Sequence, residues 1–187
     1  MIASDIHGSS LYCEKLLERY KEENCQKLLL LGDILYHGPR NDLPEIYNPK
    51  KVIEMLNNIK EEIMCVRGNC DTEVDQMVLQ FPIMADYAVL YHNEHMIFAT
   101  HGHKYTEQNP PMLYRGDVLL TGHTHIPACN EYDDFIYINP GSTTIPKAGS
   151  HHSYMIFEDG KFTWKTIEGE TYKEFELSRA TPARSSA

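Results

Sequence analysis

No apolar run in this chain approaches the roughly 18 to 20 residues that a membrane-crossing helix needs. The opening "MIASDIHGSS" has no basic stretch followed by a long apolar core, so no secretory leader is expected. "MIAS" leaves little strand before Asp5, and a natural start slightly further upstream is an expectation. Paired cysteines are missing too. Cys13, Cys25, Cys65, Cys70 and Cys129 are odd in number and form no C-x-x-C pair. That argues against a disulfide frame or zinc ribbon and for reduced thiols in the cytoplasm. Positive charge is scarce, with 17 Lys and Arg against 27 Asp and Glu and a formal charge of −10. Such a balance argues against a nucleic-acid polymer as partner, because phosphate tracking needs a basic face. It does not bind one local cavity, where divalent ions can invert the potential.

What is present suits one globular domain: 187 residues, 42% hydrophobic and 24% charged. We expect a single domain over 1–178 and a frayed tail over 179–187, where apolar periodicity ends. The first half alternates helix and strand signals. Ser9 or Ser10 can cap a helix with Tyr12, Cys13, Leu16, Leu17 and Tyr20 inward. Lys27 to Asp33 reads as a buried strand, Asn48 and Pro49 open a second helix burying Val52, Ile53, Leu56 and Ile59, and Ile63 to Asp71 reads as a third strand. The second half is mostly β. Tyr87 to His103 is a hairpin turning at Asn93-Glu94, "DVLLTGH" and "FIYINPGS" are strands, and "SYMIFEDGKFTWKTI" is a hairpin turning at Asp159-Gly160. The run "EGETYKEFE" is expected to be a solvated end segment, and His92, His95, His151 and His152 to be solvated.

The informative pattern is where ligand-type residues fall. Asp5 and His7, Asp33, Asn69, His101, and His123 with His125 each follow an apolar strand. In open α/β sheets the ends of successive strands line one crevice, so seven groups spread along the chain can meet. Residues i and i+2 of an extended segment point to one side, which suits the two D-x-H and H-x-H pairs. Imidazole, carboxylate and one amide oxygen suit Mn, Fe, Ni or Zn. Seven ligands are too many for one tetrahedral ion. They divide over two if Asp33 bridges: Asp5, His7, Asp33 and His125 on one, Asp33, Asn69, His101 and His123 on the other. With a bridging hydroxide and neutral imidazoles, about one positive charge remains to attract a phosphodiester. Two ions roughly 3.5 to 4 Å apart can hold that nucleophile and polarise the phosphoryl oxygen for in-line displacement.

D-x-H, G-D (Gly32, Asp33), G-N (Gly68, Asn69), His101 and G-H-x-H (Gly122, His123, His125), in this order, resemble the calcineurin-like metallophosphoesterase signature. Longer segments, "LGDILYHGPRN", "VRGNCDTEVDQM" and "NPGSTTIPK", resemble the small bacterial YfcE-type phosphodiesterases. The resemblance covers nearly the whole chain. It implies an α/β four-layer sandwich with the βαββα motif, two mixed β-sheets flanked by helices, and a dimetal site at strand ends. It also implies manganese as the usual activator, with Ni, Fe or Zn as alternatives, and a small phosphodiester as substrate. Three rival readings stay open: a phosphomonoesterase or phosphoprotein phosphatase on the same site, a non-catalytic scaffold of the same fold, and a nuclease, which lacks the expected basic tract.

The second tier of residues is less determined. Many family members carry histidine after G-N, where this chain has Cys70. A neutral thiol is a poorer donor than imidazolium, so the leaving group's proton source passes to Cys70 itself, His103, Asp71 or water. Arg40 and Asn41 are candidates for substrate phosphate, with an acidic-surface pairing as the alternative for Arg40. His37 is open between loop packing and support of the site, Arg67 is expected to be structural, and Tyr47 is expected to be exposed and available to a homo-oligomer contact. Cys70→His is expected to raise turnover on diesters with poor leaving groups. Steady-state comparison of the two proteins checks this, and unchanged turnover counts against it.

Overall fold

The computed structural model describes residues 1–177; the tail at 179–187 lies outside the described residues. Two mixed sheets face each other. The first has β1 (Ile2–Ala3), β2 (Leu28–Leu30) and β3 (Ile63–Cys65) in parallel, extended on the β1 side by the antiparallel β9 (Ser153–Glu158), β10 (Lys161–Thr166) and β11 (Thr171–Glu176). The second runs β4 (Tyr87–His92), β5 (His95–Thr100), β6 (Asp117–Leu120), β8 (Phe135–Asn139) and β7 (Ala128–Glu131), with β5, β6 and β8 parallel.

Between the sheets lies a core that includes Leu29, Leu31, Val66, Val118, Leu120, Ile138, Phe162 and Trp164. A second core fills the outer face of the first sheet, where α1 (Ser10–Glu22) and α2 (Pro49–Asn57) contribute Cys13, Leu16, Tyr20, Val52 and Leu56. The helices start where the sequence puts the caps. Ser9 Oγ accepts from the Tyr12 amide, and Asn48 Oδ1 accepts from the Lys51 amide with Pro49 in the first turn. The outer face of the second sheet is covered by Tyr105 and Leu113 over Phe98 and Leu119.

The central strands are short for a reason that matters to function. β1, β2 and β3 stop before Asp5, Asp33 and Asn69, and at Asp5 and Asp33 the chain leaves the sheet on left-handed backbone. Lys27 to Asp33 and Ile63 to Asp71 are therefore three-residue strands with long polar exits. Two short elements carry too little periodicity to show in the sequence: α3 (Glu73–Val78) and β7.

Four expectations need correction. "EGETYKEFE" is not a solvated end; it holds β11, an edge strand paired with β10, and its Phe175 packs against the inter-sheet core. His95 is buried with Nδ1 2.7 Å from the Gly116 carbonyl oxygen. His152 stacks on Tyr12, its Nε2 3.1 Å from the phenol oxygen. Tyr47 is half-buried, with His37 packed edge-on to it and to Tyr36, which makes His37 a loop-packing residue.

Trp164 ties the inter-sheet core to the loops above. It is fully buried, and its indole N–H donates to the Asn139 carbonyl at 2.7 Å. The Asn139 side chain in turn donates to the Gly122 carbonyl at 2.7 Å, at the start of the G-H-x-H loop. Trp164→Phe should cost about 1–3 kcal/mol, through a buried carbonyl left without its donor. Urea unfolding midpoints check this, with a parallel loss of order at His123 visible in imidazole NMR signals.

Candidate metal centre

Five loops converge above the parallel strands. Asp5, His7, Asp33, His123 and His125 all take left-handed backbone, with φ of 60°, 50°, 55°, 65° and 62°. Non-glycine residues held there cost roughly 1–3 kcal/mol each and persist only where surroundings over-determine them. The surroundings do so here. The amides of Asp5 and His7 donate to the Gly32 and Asp33 carbonyls at 3.1 and 2.9 Å, and the His123 amide donates to Asp5 Oδ2 at 3.1 Å. Asp71, fully buried, accepts from the amides of Asp33, Ile34 and Gly68 at 2.7–2.9 Å. It binds the second and third loops into one unit. A Cβ on Gly68 would overlap the Asp33 carboxylate and amide, so only glycine allows that approach.

Three of the four histidines are held alike. Nδ1 of His7, His101 and His125 lies 2.8, 2.6 and 2.6 Å from the carbonyl oxygens of Tyr36, Leu31 and Ile145. Since a carbonyl only accepts, each Nδ1 carries the proton and each Nε2 is aimed inward. His7 Nε2 and His125 Nε2 then stand 3.2 Å apart, and Asp5 Oδ1 lies 3.5 and 3.2 Å from them. A second group forms beside it. His101 Nε2 is 3.1 Å from Asn69 Oδ1 and 3.2 Å from His123 Nδ1. Asp33 Oδ2 lies between the groups, 3.4 Å from His101 Nε2 and 3.8 Å from His7 Nε2. All seven sequence candidates are thus within one constellation.

This donor set fits a cation. Two neutral rings with Nδ1 protonated would set lone pair against lone pair between His7 and His125, so a proton or a metal ion must lie there. Asp5 Oδ1 is buried and accepts no hydrogen bond of proper geometry. Asp5, His7 and His125, and separately Asp5, Asp33 and His101, offer ligand atoms all within 4.8 Å of one another. Cys70 Sγ also comes within 4.8 Å of ligand atoms of His7 and Asp33, but the seven candidate ligands themselves offer nitrogen and oxygen, which match first-row divalent ions.

The metal-free electrostatics express the same crowding. Burial opposes ionisation of Asp5, but His125 and His7 outweigh it and hold the carboxyl well below its usual range. Burial likewise works against His101, yet Asp33 and Asp5 raise its pKa to about 9. For His123, burial and then the neighbouring His101 charge push the pKa down to about 4.

The remaining candidates separate. Arg40, Asn41 and Cys70 line a cleft of about 390 Å³ that opens onto Asp33, Asn69, His123 and His125. Burial and the Asp33 charge raise the Cys70 thiol, which stays neutral. His103 stands next to the centre, its ring 5.4 Å from His101 and 6.3 Å from His123, and it is not among the residues that line this cleft. Asp71 is committed to three amides and cannot serve a leaving group. Arg67 is structural, its Nε donating to the Asp71 carbonyl at 3.2 Å. Sequence reasoning missed Thr124 and Lys147, which also line the cleft; the signal was their place beside "GHTHIP" and in "NPGSTTIPK".

Residues 1–160 match the family model of the calcineurin-like phosphoesterase superfamily domain. The chain belongs to that superfamily. The phosphodiesterase YfcE of Escherichia coli K12 is 46% identical over 159 residues, 85% of this chain and 86% of that one. A phosphodiesterase of Methanocaldococcus jannaschii is 27% identical over 162 residues, 79% and 89% of the two chains. The solved structure of the E. coli phosphoesterase YfcE superposes with a TM-score of 0.92 at 41% identity, over 95% of this chain and 98% of that one. Vacuolar protein sorting 29 of Cryptosporidium parvum, at 21% identity and a TM-score of 0.59 over 94% and 96%, shares the fold alone. The two mixed sheets with flanking helices are the superfamily's fold, and metal-dependent phosphoester hydrolysis is its chemistry.

Metal-free protein should be most stable near pH 6.5. His101 has a raised folded pKa, so its contribution is full below its unfolded value of about 6.5 and is lost as pH rises through about 9. His123 has a lowered folded pKa, so protonation favours the unfolded chain, and stability falls from about pH 6.5 toward 4. Urea midpoints of chelator-treated protein check the profile, and His101→Gln should shrink the alkaline limb to the share left by His7, where burial lowers the pKa but Asp5 outweighs it and raises the pKa.

Proposed function

We propose that this protein hydrolyses a small phosphodiester at a centre of two divalent cations. The carrying observation is the position of Asp33 Oδ2 between two donor groups. On this reading Asp5, His7, Asp33 and His125 hold one ion, and Asp33, Asn69, His101 and His123 hold the other. Bound, the ions supply hydroxide at neutral pH and polarise the phosphoryl oxygen; manganese is the activating ion we favour.

The chain's own residues do the rest. The Nδ1–carbonyl bonds fix ring orientation before substrate arrives, which removes a reorganisation cost from the reaction. The Asp71 bracket keeps Asp33 at constant reach of both donor groups. Asn69, exposed at the cleft, presents its amide oxygen to the centre while its Nδ2 lies 3.2 Å from Cys70 Sγ. Cys70, as a neutral thiol, offers the leaving oxygen little proton donation. Esters of good leaving groups are therefore favoured. Support for a cytoplasmic setting comes from five free cysteines, and no described helix is long and apolar enough to cross a membrane. We take 1–178 as one catalytic domain.

The similarity to YfcE, at 46% identity, supports diester over monoester hydrolysis. Metal analysis coupled to matched esters tests the proposal. Near two equivalents of bound metal are expected, with Mn²⁺-stimulated release of p-nitrophenol from bis(p-nitrophenyl) phosphate faster than from p-nitrophenyl phosphate. Chelation should abolish it, and Asp33→Asn should lower kcat by about a hundredfold or more. Faster monoester turnover would overturn the diester preference. Absent hydrolysis with Mn²⁺, Ni²⁺ and Zn²⁺ alike would overturn the enzyme reading.

A further inference from the structure

Two exposed basic side chains belong to the cleft. Arg40 and Lys147 line it alongside the candidate ligands. Among the described residues the ion pairs include neither of them. Some basic residues do find carboxylates, Arg67 with Glu73, Lys104 with Asp86 and Lys165 with Glu23, whereas Lys21, Lys50 and Arg115, like Arg40 and Lys147, are in none of these pairs. What sets Arg40 and Lys147 apart is their place: both are exposed, and both line the cleft that holds the candidate ligands Asp33, Asn69, His123 and His125.

Both are delivered by loops that also shape the centre. Lys147 lies two residues after Ile145, whose carbonyl orients His125, and the Lys147 amide donates back to the His125 carbonyl at 3.1 Å. Ser150 Oγ donates to the Lys147 carbonyl at 2.7 Å, closing the turn. On the other loop, Asn41 Nδ2 donates to the His37 carbonyl at 2.7 Å and Gly38 packs toward Cys70, so Arg40 belongs to a braced segment.

Charge counting says what they meet. Two divalent ions against Asp5 and Asp33 leave two positive charges, which a hydroxide and the single charge of a diester cancel. The scissile group therefore needs neither Arg40 nor Lys147. We propose that the substrate's second arm carries a further anionic group, a carboxylate or a phosphate, and that Arg40 and Lys147 bind it and set specificity. This rests on the diesterase reading. A guanidinium fork and an ammonium point charge are both suited to oxyanions, and a cleft of about 390 Å³ admits an arm of a few atoms beyond the scissile phosphate.

The test holds the leaving group constant. p-Nitrophenyl phosphodiesters with ethyl, choline, glycolate and 2-phosphoethyl arms are compared under Mn²⁺. The glycolate or 2-phosphoethyl ester should exceed the ethyl ester in kcat/KM by about tenfold, equivalent to about 1.4 kcal/mol, and the choline ester should be poorest. The two anionic esters decide between carboxylate and phosphate. The preference should shrink as salt rises, as for any solvent-exposed charge pair. Lys147→Gln and Arg40→Gln should each reduce the anionic-to-ethyl ratio, mainly through KM, and the Glu variants should invert it. An ethyl ester hydrolysed as well as both anionic ones overturns this inference and leaves the diesterase reading standing. If no ester is hydrolysed, that reading fails, and calorimetry of 2-phosphoglycolate and ethylene-linked bisphosphate against ethyl phosphate on Mn²⁺-treated protein still decides: tighter anionic binding that Lys147→Gln abolishes supports the inference, and equal affinities overturn it.

Discussion

An imidazole nitrogen bonded to a backbone carbonyl is the contact on which this site depends. His7, His101 and His125 each commit Nδ1 to a carbonyl from a different loop, Tyr36, Leu31 and Ile145. Each bond fixes a tautomer and a ring plane together, so the Nε2 atoms of His7 and His125 are held toward one donor group and that of His101 toward its neighbour, with no freedom to turn away. Without these bonds the rings would rotate, and the same residues would be polar side chains in a wet crevice. His123 is the exception. It offers Nδ1 rather than Nε2, and is positioned by its own amide on Asp5.

The left-handed backbone at five candidate ligands is the consequence of asking short exits from parallel strands to aim side chains back over the sheet. That conformation is unfavourable for residues with a Cβ. It is sustained by packing beneath and by a carboxylate beside it. The inter-sheet core anchors Asn139 through Trp164, and Asn139 holds the Gly122 carbonyl. Asp71 gathers three amides from two loops. A core residue and a buried acid therefore act on the centre without touching its ligands.

Much of this was legible in order along the chain. Apolar runs ending in Asp-x-His, Gly-Asp, Gly-Asn and His-x-His mark strand ends, since hydrophobic strands in an α/β sheet are buried on both faces. The helix caps at Ser9 and Asn48 and the turns at Asn93 and Asp159 could be read from local chemistry alone. Other features depend on partners distant in sequence. The run around Tyr172 and Phe175 looks solvated because its alternation is diluted by charge, yet the free edge of β10 recruits it as a strand. His95 and His152 look like surface residues until the Gly116 carbonyl and the Tyr12 ring are brought to them. Asp71 reads as one more polar residue after Gly-Asn, and only the folded loops give it three amides.

By itself, then, the sequence determined which chemistries are available: ligand types, their strand-end positions, the glycines that permit close approach, and a thiol where an imidazole is usual. Those follow from covalent identity and short-range periodicity, which a linear chain carries in full. Tertiary structure alone decided which nitrogen of each ring faces inward, that Asp33 lies between two donor groups, that the His103 ring lies next to those of His101 and His123, and that Arg40 and Lys147 share the cleft. These are distances between residues up to a hundred or more positions apart, and they exist only once two sheets have packed and their loops have been pinned to one another.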